Sequence, residues 1–334
     1  MIPRSRNFTF VENRFRAGDL DPTAAFILRR GTAQLLDSLR AYRPDNLTPG
    51  RVAVIELLPD EKVPGDPDAH ALAKRLRWMF TDVVHLKALP DGRFINAASD
   101  AIDLVGHDLV WLHTSGRSPA AQVRYCVSAD LARAIPSAHA VAQLRRFIDS
   151  GHGMVLSGLA TCLVTDLGLE SYPPNHRYWG SMLVPGRGLS RHRYPVPPEV
   201  KSLGLRRLVA DHPLFAGLPA DGFATMEFNS AELVTEAVWQ RPPGTPEAWR
   251  SPVWPQHGRV LAGYWSDRVK LAENYAAVVA YEANSGAKLL LLGGAFDPRV
   301  STNRPRRGAH YDQLIRNVVA WCSGKPRGEG ERSR

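Results

Sequence analysis

The stretch that decides the fold is GHGMVLSGLAT, residues 151–161. Within it, residues 153–156 form a short apolar run that reads as a buried strand, and the Ser–Gly pair that follows predicts a sharp turn. Residues 162–167 then show helical spacing of apolar residues, which ends at Gly168. The segment therefore predicts a strand–turn–helix junction, the unit from which α/β proteins are assembled.

The same alternation of strands and helices continues on both sides of this junction. An apolar run (RVAVIELL), an amphipathic stretch and a second apolar run form one βαβ unit, for which a parallel sheet is expected. A further strand and a helix with Ser137 as its N-cap precede the junction. Three strands and a closing helix follow it. The predicted elements are strands at 51–58, 82–86, 108–113, 260–265, 277–281 and 288–292, and helices at 68–80, 137–149 and 311–322.

The chain divides by composition into a central domain and two flanking segments. Residues 1–50 read as an N-terminal extension with one helix, residues 51–322 as the α/β domain, and residues 323–334 as a disordered basic tail. Two stretches near 172–200 and 238–258 are rich in Pro, Gly, Arg and aromatic residues and lack periodicity. We interpret them as irregular, lid-like insertions whose aromatic and arginine side chains suit either a sugar or a partner chain.

Composition narrows the possible partners and compartment. The net charge of +9 over 334 residues invites a nucleic-acid hypothesis, but the basic residues are scattered and no nucleic-acid-binding signature accompanies them. Nucleic acid is therefore not the expected partner. The three cysteines are far apart in sequence, which favours a reducing compartment such as the cytoplasm. No apolar run approaches the ~18 residues of a spanning helix, so no membrane contact is expected.

Four segments together carry a family resemblance. They are RVAVIEL at 51–57, the junction at 151–161, HPLFAGLP at 212–219, and KLLLLGGAFDP at 288–298 with the helix ending RNVVAWC at 316–322. In combination they resemble the class I glutamine amidotransferase-like superfamily, especially its trehalose-utilisation-type, carbohydrate-associated branch of unknown function. The resemblance covers residues 51–322 and implies an α/β, flavodoxin-like layered fold with a mainly parallel central sheet.

The residues that run amidotransferase chemistry are missing at the matching positions. Enzymes of the superfamily carry a nucleophilic cysteine at the tip of the elbow, where this chain has Gly158 or Leu159. Their Phe-His-Pro-Glu run, which supplies the base and its orienting carboxylate, is Phe296–Asp297–Pro298–Arg299 here. The nearest thiol, Cys162, lies about one turn further on, where a cysteine usually packs as a small apolar residue. Glutamine hydrolysis by the usual triad is therefore not expected.

Other chemistry is still possible at the carboxyl ends of the strands, where ligands of open parallel sheets gather. We predict His113, Glu227 and Asp297 as acid/base residues. Glu227 is included because the resemblance implies an acidic residue near the pocket after HPLFAGLP. The predicted ligand-binding residues are Glu56, Thr114, Ser115, Ser157, Thr161 and Arg299.

Three functional classes are compatible with this set of residues. The pocket could catalyse a hydrolase or isomerase reaction on a polar small molecule, or it could bind such a molecule without turnover. In the third class, the insertions form an interface in a homo-oligomer or a larger complex. No phosphate-binding glycine loop and no converging set of metal ligands is visible in the sequence, so no cofactor or metal is predicted.

Overall fold

The structure is a computed structural model. It describes residues 47–57, 66–114, 117–119, 137–171, 174–181, 193–196, 202–227, 232–240, 254–266, 275–293, 296 and 305–324. The described residues from Thr48 onward form one compact unit. The predicted N-terminal helix and, beyond Gly324, the basic tail lie outside the described residues, and they stay predictions.

Fourteen strands and three α-helices occur in the described part of the chain. The strands are β1 (Thr48–Leu57), β2 (Phe80–Ala88), β3 (Phe94–Ile95), β4 (Leu109–Thr114), β5 (Arg117–Pro119), β6 (Gly153–Gly158), β7 (Asn175–Ser181), β8 (Arg193–Val196), β9 (Ser202–Arg207), β10 (Phe223–Glu227), β11 (Glu232–Gln240), β12 (Arg259–Ser266), β13 (Tyr275–Glu282) and β14 (Lys288–Leu292). The helices are α1 (Pro67–Arg77), α2 (Ala138–Asp149) and α3 (Pro305–Cys322).

One large mixed sheet organises the molecule. Its main path runs β10-β9-β12-β13-β14-β6-β4-β1-β2-β3. The four pairings from β14 to β2 are parallel, and the other five pairings on the path are antiparallel. The fold class is α/β, as predicted, but the expected mainly parallel sheet is not confirmed.

The physical reason lies in the length of the connections. A parallel pair needs a crossover of a dozen or more residues, whereas β13 and β14 are joined by a short turn that closes with Ala283 and Ala287. Short connections of this kind force antiparallel pairing. The candidate strands at 260–265, 277–281 and 288–292 are likewise too close in sequence for crossovers, and that spacing already favoured an antiparallel arrangement.

The parallel half sets the position of the candidate site. Its five strands lie side by side in the order β2-β1-β4-β6-β14. The first two strands of the chain are therefore in reverse order, and the later three follow chain order. The strand order thus reverses between β1 and β4. Ligands of open α/β sheets bind in the crevice at the carboxyl ends of the strands beside such a reversal.

Helices cover both faces of the parallel half. On one face, Leu72 of α1 and Ile315 of α3 pack against Val54 and Trp111. On the other face, Leu144 of α2 packs against alternate residues of the same strands. Two caps fix the helix starts, since the Asp66 side chain accepts from the Asp68 amide and Ser137 accepts from the Ala140 amide, as predicted for Ser137.

Three local predictions are corrected or refined by the structure. The helix expected at 162–167 is a 3₁₀ turn, Leu159–Val164, and all its residues are buried. In the HPLFAGLP element, His212 caps the short 3₁₀ turn Pro213–Phe215, as the sequence suggested. The insertion near 172–200 contains β7 and β8, so its described part is not irregular. β7 pairs with the distant β11, a partner that local periodicity cannot reveal. No helix in the described ranges is long and apolar enough to cross a membrane.

Candidate functional site

Four polar residues form a row across the carboxyl ends of neighbouring parallel strands. Glu56 of β1 pairs with Lys87 of β2, and His113 of β4 pairs with Ser157 of β6. Ile55 of β1 pairs with Leu112 of β4. The next residues along these strands, Glu56 and His113, therefore lie side by side where the strand order reverses. Because side chains alternate along a strand, the row lies on the face covered by α1 and α3. The strand register therefore brings Glu56, His113 and Ser157 to one edge of the sheet.

His113 and Ser157 contact each other directly. The Ser157 hydroxyl accepts a hydrogen bond from Nε1 of Trp111 at 2.9 Å and lies 2.8 Å from Nδ1 of His113. The Ser157 hydroxyl also donates to the Leu112 carbonyl at 3.4 Å. Both side chains are buried, so Ser157 is an internal hydrogen-bonding group and not a surface nucleophile.

The Glu56 side chain turns away from His113, toward α1 and β2. Its Oε2 accepts from the Asp66 amide at 2.5 Å, and its Oε1 lies 3.8 Å from Nε2 of His85. Burial raises the pKa of Glu56, although the Asp66 amide and Lys87 oppose the shift. Burial also lowers the pKa of His85 to about 4. By distance the two side chains would count as an ion pair, but His85 is neutral near pH 7, so they do not form one.

The turn after β6 has a backbone that only glycine adopts easily. Gly158 has φ 62° and ψ −136°, and a Cβ added there would lie 2.2 Å from the Thr114 carbonyl oxygen. The tip of the elbow thus has no room for a nucleophilic side chain. Thr161, predicted to bind ligand, instead donates to the Gly158 carbonyl at 2.9 Å and stabilises this turn.

Two further side chains near the elbow differ in their availability. The Thr114 hydroxyl is buried and has no hydrogen-bond partner among the described residues, although it could bond to a ligand group. Burial, with a contribution from Asp166, raises the pKa of Cys162 to about 12. A thiol with this pKa does not supply the thiolate that nucleophilic catalysis requires, in agreement with its interpretation as a packing residue.

The remaining predicted residues are not joined to this row by the described structure. Ser115, Asp297 and Arg299 lie outside the described residues. Glu227 is the last residue of β10, which is six strand steps from β4 along the sheet path. The structure therefore does not place Glu227 on a strand next to His113, because the antiparallel half of the sheet separates them.

Sequence reasoning missed two residues with well-defined environments. His85 lies in the predicted strand 82–86, and its alternation with Val83 and Lys87 is the signal that would have placed it on the helix-covered face. Glu170 is buried and accepts from the amides of Gln256, His257 and Gly258 and from the Tyr281 hydroxyl. No local pattern indicates this role, since the donors are 86–111 residues away.

A separate groove of about 450 Å³ opens on the opposite face of the sheet. Its floor is apolar and its rim is polar, with Phe94, Leu104, Phe147, Arg93, Gln143 and Arg146 among the lining residues. None of the predicted site residues lines it. Within the described ranges, no group of three or more His, Cys, Asp or Glu side chains could hold a metal ion.

Neither a protein-family model nor a curated protein matches the chain. Similar solved structures include a ThuA-like protein from Parabacteroides merdae, with 13% identity, a TM-score of 0.44, and coverage of 84% of this chain and 93% of that chain. PurLQS from Thermotoga maritima has 12% identity, a TM-score of 0.43, and coverage of 81% and 99%. A cytoplasmic protein from Salmonella typhimurium has 10% identity, a TM-score of 0.43, and coverage of 82% and 98%. At these values the likeness carries no argument about activity.

Proposed function

We propose that this chain is a non-amidotransferase member of the glutamine amidotransferase-like superfamily. In this proposal it binds a polar, carbohydrate-derived small molecule at the carboxyl ends of β1, β4 and β6. The observation that carries the proposal is the elbow at Gly158, which has the sharp strand-to-turn backbone of a nucleophile elbow but is closed to any side chain by the Thr114 carbonyl.

The polar row beside the elbow supplies groups for such a ligand. Glu56 and His113 lie on adjacent strands at the reversal of strand order, where α/β sheets bind ligands. The Thr114 hydroxyl, which is buried without a described partner, suits a sugar hydroxyl. All these groups are buried, so the ligand would be enclosed, as small-molecule ligands commonly are.

A reaction at this site would use acid/base chemistry. His113 would act as the general acid or base, with Asp297 as its partner and elbow amides as donors to a developing oxyanion. A hydrolase or an isomerase fits these roles. Glutamine hydrolysis does not fit them, and we expect no ammonia release from glutamine by the wild-type chain or by Gly158→Cys.

The test is thermal-shift screening of the full chain against sugars, sugar acids and polyols. A ligand at about 100 times its Kd stabilises the native state by about 2.7 kcal/mol, which corresponds to a rise in Tm of several degrees. Thr114→Val keeps the shape of the side chain and removes the hydroxyl, so we expect it to abolish the shift and leave the fold intact.

The matched control is Arg146→Gln, which changes the groove on the opposite face. It should leave the ligand-induced shift unchanged. If Arg146→Gln abolishes the shift and Thr114→Val does not, the ligand occupies the groove and the proposed site is wrong. If no compound of these classes shifts Tm, the proposal fails, and a role as an interaction module in a homo-oligomer or larger complex becomes the better explanation.

A further inference from the structure

The groove on the face of the sheet that α2 covers lies between two walls. One wall is α2, where Arg146 and Phe147 follow Gln143 by three and four residues and therefore share one side of the helix. The other wall is the segment 93–105, which contains β3 and enters the short 3₁₀ turn Leu104–Gly106. The groove has a volume of about 450 Å³, which is within the range of small-molecule sites.

Hydrogen bonds and a close backbone contact fix the two walls. Nε2 of Gln143 donates to the Gly92 carbonyl at 2.7 Å and so joins α2 to the start of the second wall. A Cβ added at Gly92 would lie 2.5 Å from Cβ of His139, so the chain passes directly against α2 there. Within the second wall, the Ile102 amide donates to the Phe94 carbonyl at 2.8 Å. The groove is therefore formed before a ligand enters, which lowers the entropic cost of binding.

The floor of the groove offers an apolar surface to a ligand. Phe94 and Phe147 contribute two aromatic rings, and Leu104 belongs to the same core cluster. Val105, which also lines the groove, is 57% exposed, as few large apolar side chains in the described ranges are. An apolar ligand group that covers Val105 removes this surface from water, which favours binding.

Among the described residues, the rim offers one unpaired charge of each sign. Arg93 is already paired, because its Nε donates to Oδ2 of Asp91 at 2.6 Å. Arg146 is exposed, and no carboxylate of the described residues forms an ion pair with its guanidinium group. Asp103 caps the 3₁₀ turn through Oδ1, which accepts from the Val105 amide at 3.1 Å. Its Oδ2 is therefore available at the rim as an acceptor.

We propose that this groove binds an apolar α-amino acid in its zwitterionic form. The ligand carboxylate accepts hydrogen bonds from the Arg146 guanidinium group, and the ligand ammonium group donates to Oδ2 of Asp103. The apolar side chain of the ligand covers Val105 and the aromatic floor. A phosphate or a dicarboxylate fits less well, because Asp103 repels a second negative charge at the same rim. This site is independent of the proposed function, since it lies on the face of the sheet opposite the polar row.

Titration calorimetry of the full chain with three related probes at millimolar concentration tests both charge contacts. L-phenylalanine carries both charges, 3-phenylpropionate lacks the ammonium group, and phenethylamine lacks the carboxylate. We expect phenylalanine to bind and each of the other two probes to bind at least about fivefold more weakly, because each loses a hydrogen bond to a charged group. Absence of phenylalanine binding, or equal binding of all three probes, would overturn the proposal.

Two conservative substitutions separate the contacts. Arg146→Gln removes the charge that binds the carboxylate, so phenylalanine and phenylpropionate should bind more weakly and phenethylamine should not. Asp103→Asn keeps an oxygen that caps the Val105 amide but removes the negative charge, so phenylalanine should lose its advantage over phenylpropionate. The matched control is Arg145→Gln, because Arg145 is the neighbouring arginine of α2 and donates to the Asp166 carbonyl outside the groove. A loss of binding in Arg145→Gln equal to that in Arg146→Gln would contradict a specific contact in the groove.

Thr114→Val distinguishes the groove from the strand ends. This variant should bind phenylalanine as the wild-type chain does, because Thr114 does not line the groove. If no sugar, sugar acid or polyol binds and phenylalanine binding depends on Arg146 and Asp103, the proposed function fails and the groove site stands. If Thr114→Val abolishes phenylalanine binding and Arg146→Gln does not, the amino acid binds at the strand ends and the groove site is wrong.

Discussion

Two buried glutamates in this protein have opposite surroundings. Glu170 accepts four hydrogen bonds, three from consecutive backbone amides and one from Tyr281, at distances of 3.0–3.1 Å. Burial, with Glu170 beside it, raises the pKa of the Tyr281 phenol, which therefore stays a donor. Glu56 receives a single amide hydrogen bond, and its second oxygen faces a neutral imidazole at 3.8 Å.

The comparison shows two ways in which the fold accommodates a buried carboxyl group. A carboxylate surrounded by donors is stabilised as an anion and anchors a loop, here residues 256–258 beside β13. Glu56 has a single amide donor, and burial raises the pKa of its carboxyl group above the ordinary value. Glu170 therefore belongs to the architecture, whereas Glu56 lies at the end of β1, next to β4 and the candidate site.

The largest loss of stability is expected at Glu170, which anchors residues 256–258. Glu170→Ala leaves three backbone amides and the Tyr281 hydroxyl without their acceptor, so we expect unfolding free energy to fall by about 3–4 kcal/mol. Denaturant unfolding measures this loss. Glu170→Gln keeps one oxygen acceptor and should cost about half as much. Glu282→Ala, at an exposed position of β13, is the control. A comparable loss there would show that the hydrogen bonds to Glu170 add no stability of their own.

At the candidate site, the largest effect should come from the elbow. Gly158→Ala places a methyl group against the Thr114 carbonyl in a backbone conformation that strains any other residue, and we expect a loss of about 2–3 kcal/mol. Gly286 also has a positive φ, 81°, but a Cβ there meets nothing within 4 Å. Gly286→Ala should therefore cost only about 1 kcal/mol. Equal losses would mean that the steric closure of the elbow is not real.

A smaller loss is expected when the hydroxyl at the centre of the site is removed. Ser157→Ala takes the acceptor from the Trp111 indole and the partner from His113, both buried, and should cost about 1–2 kcal/mol in denaturant unfolding. Ser150→Ala removes an exposed hydroxyl that bonds only to the Arg146 carbonyl of its own helix. It should cost under about 0.5 kcal/mol. If Ser157→Ala is equally harmless, the hydrogen-bond network at the site contributes nothing measurable.

The sequence predicted the half of the fold that local patterns encode. Apolar runs and capping residues such as Ser137 located the parallel strands and their helices, since each of these signals spans only a few residues. The expected mainly parallel sheet is not confirmed, although the five-residue connection between β13 and β14 favours an antiparallel pair. β7 and β8 were missed because the hydrogen bonds of β7 come from β11, more than fifty residues away.

The candidate site, like the fold, was predictable only where local sequence patterns determine it. His113 and Ser157 were expected at one edge because parallel strands end there, and Nδ1 of His113 lies 2.8 Å from the Ser157 hydroxyl. The direction of the Glu56 side chain was not predictable, because the Asp66 amide and His85 that attract it come from two other elements. Such choices depend on tertiary neighbours, and a strand pattern specifies only the face on which a residue lies.

The smallest expected effect is a pH dependence of stability to which His85 and Glu56 contribute with opposite signs. His85 has a pKa of about 4 in the folded chain against 6.5 ordinarily, so between those values the unfolded state binds more protons, and stability falls as pH is lowered from 6.5 toward 4. Glu56 has a raised pKa, so the folded state binds more protons above pH 4.5, and its contribution is lost as pH rises through the folded pKa.

The two contributions oppose each other where their pH windows overlap, so the net change is smaller than that of His85 alone. Unfolding free energy measured from pH 4 to pH 7 should lose its fall toward pH 4 in His85→Gln, whereas Glu56→Gln should show a steeper fall than wild type because the opposing contribution is gone. If the unfolding free energy of His85→Gln falls toward pH 4 as steeply as that of wild type, His85 is not buried as a neutral ring. The surroundings assigned to Glu56 would then be wrong.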